Sequence, residues 1–247
     1  MRSGAGVFLA CVLTMCLAVG APAVRGAAVA PGAGTAVGQV ALSGLEVKLP
    51  APKVKGSVSV EDAIKGRRTV RSFSSAPMTL DALSQILWSA QGITDVKGFK
   101  RAAPSAGATF PIEVYFACGE KSVKGLRAGL WRYVPAGHSI TRVAPQDARA
   151  SLARHSLGQM WAAEAPVTVA IVCDYSRTTG RYGKRGVRYV HFEAGSVAEN
   201  IFLESQALGL SVGIIGAFDD KAISADLKLP KNLELLLLMP VGYKRSD

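Results

Sequence analysis

The segment "VRYVHFEAGSVAENIFLESQALGL", residues 187–210, decides the fold, because it is the longest stretch of the chain with a helical period. Along it, apolar and small side chains recur every three or four residues, at Val190, Ala194, Val197, Ile201, Ser205 and Leu208. That spacing predicts one long helix whose apolar face packs into a core, and Gly209 is expected to close it. We therefore expect a long buried helix in the domain.

Shorter helices are predicted on both sides of this segment. In "SVEDAIKGRR", residues 59–68, Ser59 stands three residues before Asp62 in a capping-box pattern, and Gly66 stops the helix. In "MTLDALSQILWSAQG", residues 78–92, Thr79 is the expected N-cap and Gly92 the end. Further helices are expected over residues 146–163, which Pro166 halts, and in "DKAISADLKL", residues 220–229. A basic loop is expected over residues 174–186.

Strands are predicted between these helices. The runs "IEVYFAC" (112–118), "VTVAIVC" (167–173) and "LELLLLMPVG" (233–242) are apolar, and the last is apolar enough to imply burial on both faces. The stretch "GLWRYVPAGHSITRV", residues 129–143, reads as a hairpin that turns at residues 135–138. This order predicts a single α+β domain with a central, mostly antiparallel sheet flanked by helices.

The first residues are expected to lie outside that domain. Arg2 is followed by the apolar run "AGVFLACVLTMCLAVGA" and by small residues, a pattern typical of an export signal over residues 1–28, with cleavage after Ala23 or near Ala28. A lipid-modified Cys16 and an uncleaved anchor are the alternatives. Residues 29–56 read as a linker, and residues 57–247 as the domain. We expect an exported protein, periplasmic or extracellular, that meets a membrane only through a lipid at Cys16.

The composition indicates a globular chain with anionic partners. Apolar residues make up 49% of the 247, and the formal net charge is +11. Nucleic acid is not expected, because the arginines are not interleaved with stacking aromatics. Outside the export signal, Cys118 and Cys173 lie in apolar strands and are expected to be buried thiols, with a disulfide after export as the alternative. The three histidines lack metal-ligand spacing, so no metal is assigned.

Three short stretches are candidates for ligand binding. "GRRTVRSF", residues 66–73, crowds arginines around Thr69, which suits a phosphate but equally a solvated basic turn. "PSAGATFP", residues 104–111, has small residues that let backbone approach a flat ligand, although it could be a generic loop. "GIIGAFDD", residues 213–220, could aim backbone N–H groups at a ligand, or could simply lead into a helix capped by Asp219 or Asp220.

Taken in order, the stretches "GRRTVRSF", "LSQILWSAQGI", "RAAPSAGATFPIEVYF", "GLWRYVP", "RYGKRGVRYVHFEAGSVAENIFLESQALGLSVGIIGAFDD" and "LLMPVGY" resemble the nitroreductase family of flavoproteins. The match is closer to its SagB-type, thiazole/oxazole-dehydrogenase-like subset, and it covers residues 58–243. The resemblance implies an α+β homodimer with FMN bound at the subunit interface. It also implies an oxidoreductase that transfers two electrons through flavin N5, to or from a small molecule such as a nitro compound, a quinone or a dehydrogenation substrate.

The resemblance also implies roles for particular residues. Arg67, Arg68 and Thr69 look like contacts to the FMN phosphate and ribityl chain, and Arg71 like the cation near the flavin N1/O2 edge. The segment expected to approach the ring from the partner subunit is Pro104, Ser105, Ala106 and Gly107. The turn expected to meet flavin N5 is Gly216 and Ala217, and the expected C-terminal phosphate cations are Lys244 and Arg245.

Two departures from the family affect the predicted chemistry. Many relatives carry His after "EAG", where this chain has Ser196, so a flavin-binding member with reduced or lost catalysis is the alternative. Azoline-oxidising members use a Lys–Tyr pair, for which Tyr182 and Lys184 are the available catalytic candidates. NAD(P)H is a candidate electron donor. Export would separate the protein from that donor, so a dehydrogenation or another electron source is expected instead.

Overall fold

The computed structural model describes residues 45–246, and the predicted export signal lies outside them. The strands are β1 Glu46–Lys48, β2 Ile112–Cys118, β3 Gly129–Val134, β4 Ser139–Ala144, β5 Val167–Cys173, β6 Ser211–Val212 and β7 Glu234–Gly242. The helices are α1 Val60–Gly66, α2 Leu80–Gln91, α3 Arg149–His155, α4 Tyr175–Tyr182, α5 Arg185–Ala207 and α6 Asp220–Asp226. Among these residues, no helix has the length and apolar character needed to cross a membrane.

The strands form one sheet in the order β1-β4-β3-β2-β5-β7-β6, and every pair of neighbours is antiparallel. The predicted α+β class with an antiparallel central sheet is therefore confirmed. The hairpin of β3 and β4 turns at Pro135–Gly137, and β7 lies between β5 and β6. Its position inside the sheet explains why its sequence is apolar on both faces.

Alternate residues of the strands pack into two hydrophobic cores, one on each face of the sheet. Val114 and Phe116 of β2 belong to the core that α2 and α5 cover, whereas Tyr115 and Ala117 belong to the core that α3 and α6 cover. This alternation follows from the two-residue period of a strand. The sheet is thus sandwiched between helices, and α4 packs on α5.

The predicted helix caps of α1 and α2 are confirmed. The Ser59 hydroxyl accepts a hydrogen bond from the Asp62 backbone N–H, and Thr79 accepts one from Ala82. Asp219 caps α6 in the same way, accepting from the Ala222 N–H. These ends were readable because the capping residue and its helix are neighbours in sequence.

Three sequence predictions of secondary structure are wrong. The helix expected over residues 146–163 breaks after His155, because Leu157 and Gly158 both have positive φ (56° and 71°), and only a 3₁₀ stretch, Met160–Glu164, continues it. The basic loop expected over residues 174–186 contains α4, capped by Asp174. The expected linker, residues 29–56, contains β1, whose three residues pair with β4.

The long helix is confirmed, but only one of its faces is buried. Val190, Val197 and Ile201 are fully buried, as predicted. Leu208, expected on the same face, is the C-cap of α5 and is exposed. The opposite face is open, and there Phe192 is 63% exposed.

The two cysteines of the domain are buried free thiols, as predicted, and burial raises the pKa of each to about 12. Cys118 pairs with Val167 and Cys173 with Ile112, so they lie at opposite ends of the β2–β5 ladder. Six residues of strand separate these ends, about 20 Å. A disulfide needs Cα atoms within about 7 Å, which rules out the alternative of a bond between these two thiols.

Candidate functional site

The arginine stretch is attached to the edge of the sheet. After α1 ends at Gly66, Thr69 forms a bridge with Val212 of β6, and the Val70 N–H donates to the Val212 carbonyl at 2.9 Å. Phe73 is fully buried and stacks on Trp161, with ring centres 6.3 Å apart. These anchors hold the backbone of the stretch in place and leave its basic side chains at the surface.

Those side chains share one cavity. It has a volume of about 420 Å³, and its lining includes Arg67, Arg68, Thr69, Arg71 and Lys244. We call it the arginine cavity. The structure therefore brings together the four predicted N-terminal ligands and one residue from the opposite end of the domain.

Aromatic and backbone contacts hold two of the arginines. The Arg67 guanidinium carbon lies 5.1 Å from the centre of the Phe202 ring, and its Nε is 4.0 Å from the Glu199 carboxylate. Arg68 donates to the carbonyls of Lys65 and Arg67. A single carboxylate at the limit of ion pairing leaves the cavity cationic, as a phosphate site needs to be.

The two C-terminal cations separate. Lys244 lines the arginine cavity, whereas Arg245 forms an ion pair with Glu164 at 2.9 Å and lines a different cavity of about 710 Å³. The resemblance to the family implied that both are phosphate ligands. In the structure, only Lys244 lies with the arginines.

The turn with Gly216 and Ala217 continues from β6. Ile215 exchanges two backbone hydrogen bonds with Leu238 (2.9 and 3.0 Å), and the two residues that follow are exposed. Upstream, a Cβ on Gly213 would lie 2.9 Å from the Val70 carbonyl. Glycine there lets the strand and the arginine stretch approach closely, so both segments occupy the same sheet edge.

The predicted ring-contacting segment, Pro104–Gly107, lies elsewhere. Gly107 has φ 59°, and its carbonyl accepts a hydrogen bond from Arg181 at 3.0 Å. A Cβ on Gly107 would stand 2.5 Å from the Tyr182 hydroxyl oxygen, so a side chain here would have to displace Tyr182 and adopt a positive φ. The Ser105 hydroxyl accepts from the Phe110 N–H at 2.9 Å, which closes the loop on itself.

A buried carboxyl group lies beneath this loop. Glu193 of α5 is 3% exposed and accepts a hydrogen bond from the Gln91 amide at 3.3 Å. Burial raises the pKa of Glu193, while hydrogen bonds from Ser105 and Gln91 and the charge of Arg101 act in the opposite direction. Glu193 therefore couples the loop to the helix core.

Of the two predicted catalytic residues, Tyr182 reaches the Pro104–Gly107 loop, and Lys184 is an exposed residue just before α5. The basic residue that contacts the loop is Arg181, whose guanidinium carbon also lies 5.4 Å from the Tyr182 ring centre. Sequence reasoning missed Arg181 because the stretch was expected to be a loop. Its place in the last turn of a helix, next to Tyr182, becomes apparent only with α4.

The two groups of predicted ligands contact different ends of α5. Phe202 and Gln206 adjoin the arginine stretch, and Glu193 adjoins Ser105. Nine to thirteen residues of helix separate them, about 14–20 Å at 1.5 Å per residue. Pro104–Gly107 is absent from the lining of the arginine cavity. Within one copy of the described chain, the two groups thus form separate surfaces.

The described domain thus combines an antiparallel sheet covered by helices on both faces with a cation-lined cavity at one sheet edge. Residues 64–243 match the Nitroreductase family. A candidate nitroreductase of Methanocaldococcus jannaschii is 44% identical over 200 residues, covering 81% of this chain and 97% of the relative. The chain belongs to the nitroreductase family.

Structural and more distant matches agree with this assignment. The crystal structure of a candidate nitroreductase from Ralstonia eutropha superposes with a TM-score of 0.72 and 26% identity, over 84% of this chain and 93% of that one. The microcin B17-processing protein of Escherichia coli is 23% identical over 155 residues, 62% of this chain and 57% of the relative. These matches confirm the predicted family, and the similarity to the microcin B17-processing protein supports its SagB-like subset.

Proposed function

We propose that the chain is an FMN-dependent oxidoreductase that acts on a small organic molecule: a nitro compound, a quinone or a dehydrogenation substrate. The observation that carries the proposal is the convergence of Arg67, Arg68, Arg71 and Lys244 on one cavity in a member of the nitroreductase family. When bound, FMN would supply two-electron transfer through its N5 position.

The residues of the arginine cavity fit this cofactor. Four cations and the Thr69 hydroxyl complement a phosphate dianion, and a volume of about 420 Å³ lies in the usual range for ligand sites. Arg67, Arg68 and Lys244 would bind the phosphate, and Thr69 would donate to it. Arg71 would offset negative charge at the pyrimidine edge of the ring. The exposed backbone at Gly216 and Ala217 would face N5.

The proposal is tested by the visible spectrum of the purified full-length protein and by FMN titration. We expect a yellow protein with flavin absorbance, or saturable quenching of FMN fluorescence when the cofactor is added to colourless protein. A colourless protein that leaves FMN fluorescence unchanged would refute the proposal.

We further propose that the site is completed in a homodimer. The loop Pro104–Gly107 and the arginine cavity form separate surfaces in one copy, and the open face of α5 exposes Phe192, an aromatic ring that a second copy would cover. Phe192→Asp should convert a dimer into a monomer in light scattering and weaken FMN binding with it. The matched control is Leu157→Asp, which changes a different apolar side chain that is 75% exposed. This variant should remain dimeric. A monomeric wild type refutes the dimer.

The proposed electron partner follows from the proposed export, which the apolar N-terminal sequence supports. Outside the cytoplasm nicotinamide donors are scarce, so NAD(P)H should reduce the bound flavin slowly or not at all. Chemically reduced protein should still pass electrons to a quinone or a nitroaromatic. Stopped-flow absorbance distinguishes the two steps, and rapid oxidation of NAD(P)H would contradict this part of the proposal.

A catalytically reduced family member is the second candidate, because Ser196 stands where many relatives carry His. Its hydroxyl donates to the Phe192 carbonyl of its own helix at 3.0 Å, so it is engaged within α5. Bound FMN that dithionite cannot reduce would favour this candidate over the active enzyme.

A further inference from the structure

A second cation-lined cavity, separate from the arginine cavity, lies beside the Pro104–Gly107 loop. Its volume is about 180 Å³, and its polar lining comes from the end of α2, the following loop, β2, β3 and α4: Gln91, Arg101, Thr109, Glu113, Arg132, Tyr133 and Arg177. We call it the Arg101 cavity. Its residues are separated by up to 86 positions, and they are brought together by the pairing of β2 with β3 and by the packing of α4.

The charges in this cavity do not balance. Glu113 pairs with both Arg132, at 3.0 Å, and Arg177. Arg101 takes part in none of the ion pairs formed by residues 45–246. The polar lining thus holds three guanidinium groups and one carboxylate. Arg177 has a second carboxylate partner, Asp174, at 3.6 Å, whereas Arg101 has no carboxylate within ion-pair distance in this part of the chain.

Arg101 is also poorly solvated. Its Nη1 donates to the Gln91 carbonyl at 3.2 Å, and its guanidinium lies 4.7 Å from the centre of the Phe110 ring. Its Nε is buried and has no hydrogen-bond partner in the described part of the chain. Burial lowers the pKa of Arg101, and Arg177 adds to that effect, whereas Tyr133 and Glu193 oppose it. A half-buried cation of this kind is costly unless a counter-ion joins it.

A second polar group at the same cavity also lacks a hydrogen-bond partner, and this group is an acceptor rather than a donor. Gln91 is 1% exposed, and its Oε1 is buried without a partner among residues 45–246, although its amide nitrogen donates to Glu193. Arg101 Nε needs an acceptor, and Gln91 Oε1 needs a donor. A ligand that carries both a negative oxygen and an O–H group meets both needs.

We infer that the Arg101 cavity binds a small oxyanion that also bears a hydroxyl group, which is the chemistry shared by short hydroxy acids and hydrogen phosphate. Arg101 binds the negative oxygens, Gln91 accepts from the O–H group, and Arg132 and Arg177 border the site. Thr109 and Phe110, which line the cavity, follow the Pro104–Gly107 loop directly, so an occupied cavity holds that loop in position. The inference does not depend on flavin binding.

The test is a calorimetric titration of the full-length protein carrying Arg71→Gln and Lys244→Gln, because these changes weaken anion binding in the arginine cavity. The probes are glycolate, acetate, glycolamide and inorganic phosphate. Glycolate should bind several-fold more tightly than acetate, which lacks the hydroxyl, and the uncharged glycolamide should not bind measurably. Tighter binding of phosphate than of glycolate identifies the inorganic ion as the better ligand, and the reverse identifies hydroxy acids.

Two substitutions connect the binding to this cavity. Arg101→Gln should weaken glycolate binding at least about tenfold, as expected for loss of a charge-assisted hydrogen bond. Arg127→Gln removes the same charge from an exposed position outside the cavity lining and should change it less than about twofold. Equal glycolate affinity in the two variants, or equal binding of glycolate and glycolamide, overturns the inference.

A third variant keeps the test decisive if Arg101→Gln fails to fold. Arg132 has a side chain 47% exposed and pairs with Glu113 at the surface, so Arg132→Gln should fold. It should weaken glycolate binding about two- to fivefold, because a more distant and more exposed charge contributes less. An unchanged affinity in Arg132→Gln counts against the site.

Discussion

The arginine cavity and the Arg101 cavity are both lined by several cations, but they are assembled in different ways. Arg67, Arg68 and Arg71 come from one stretch of five residues. Arg101, Arg132 and Arg177 come from a loop, a strand and a helix. In the first cavity, charge is concentrated by the sequence itself. In the second, charge is concentrated by strand pairing and by the packing of α4.

This difference determines how each cavity deals with repulsion. Arg68 and Arg71 are exposed at the arginine cavity, and one carboxylate, Glu199, lies 4.0 Å from Arg67. The Arg101 cavity neutralises two of its guanidinium groups with Glu113 and leaves the third partly buried. A clustered basic sequence is therefore a visible sign of an anion site. A partly buried arginine without a counter-ion is a second sign, which only the structure reveals.

The largest expected effect is the loss of FMN affinity when two positive charges are removed from the arginine cavity. Arg71→Gln combined with Lys244→Gln should weaken FMN binding about 100-fold or more, because each charged hydrogen bond contributes about 1.5–3 kcal/mol. Fluorescence titration measures the dissociation constant. The neighbouring substitution Arg245→Gln breaks only the pair with Glu164 and should change it less than about threefold. Equal losses from Lys244→Gln and Arg245→Gln as single substitutions would mean that the two residues share one site.

A change of opposite sign is expected in the other cavity. Glu113→Gln removes the single carboxylate that Arg132 and Arg177 share, so glycolate should bind about three to ten times more tightly. FMN binding should stay the same, because Glu113 is absent from the lining of the arginine cavity. Calorimetry of the same variant with both ligands makes the measurement. Weaker binding of glycolate would show that Glu113 serves the ligand rather than competing with it.

Glu193, which lies beneath the Pro104–Gly107 loop, adds a pH dependence to the stability of the domain. Its folded pKa is raised above the ordinary value of 4.5, so the folded state binds the proton more tightly than the unfolded chain. Its contribution to stability is complete below pH 4.5 and is lost as pH rises through the folded pKa. Urea unfolding of wild type and Glu193→Gln across this range should show the wild type losing stability relative to the variant as pH rises. Glu204, whose pKa is also raised, is present in both proteins and cancels. A constant difference would contradict the assignment.

The smallest expected effect concerns the helix that precedes the arginine stretch. Ser59→Ala removes the N-cap of α1 and should lower the free energy of unfolding by about 0.5–1 kcal/mol. Ser57→Ala, two residues earlier and exposed, is the matched control and should have no effect. FMN affinity should change less than about twofold, because Val70 and Phe73 hold the arginine stretch independently of the cap. A larger loss of affinity would mean that α1 positions the arginines.

Much of the fold was predictable because its signals are local. The caps of α1 and α2, the apolar strands β2, β5 and β7 and the period of α5 all lie within short windows of sequence. The helix α4 was missed because "YSRTTGRY" has little apolar character, and its helix depends on the Asp174 cap and on packing against α5. The strand β1 was missed because three residues become a strand only when β4 pairs with them.

The site follows the same rule. Arg67, Arg68, Thr69 and Arg71 were selected as a group because they are neighbours in sequence. Lys244, Arg245 and Lys184 were assigned from the family resemblance. The structure places Lys244 and Arg245 at different cavities, and the basic residue that contacts the Pro104–Gly107 loop is Arg181. The Arg101 cavity was out of reach, because no window of sequence contains its charged residues.

The positions of Cys118 and Cys173 have a practical consequence. The two thiols are neutral and buried at opposite ends of the β2–β5 ladder, so they cannot form a disulfide with each other. For the same reason, they do not react readily with alkylating reagents while the domain is folded. The same native domain can therefore form in a reducing or an oxidising compartment. The rate at which these sulfurs are alkylated therefore reports how often the sheet opens.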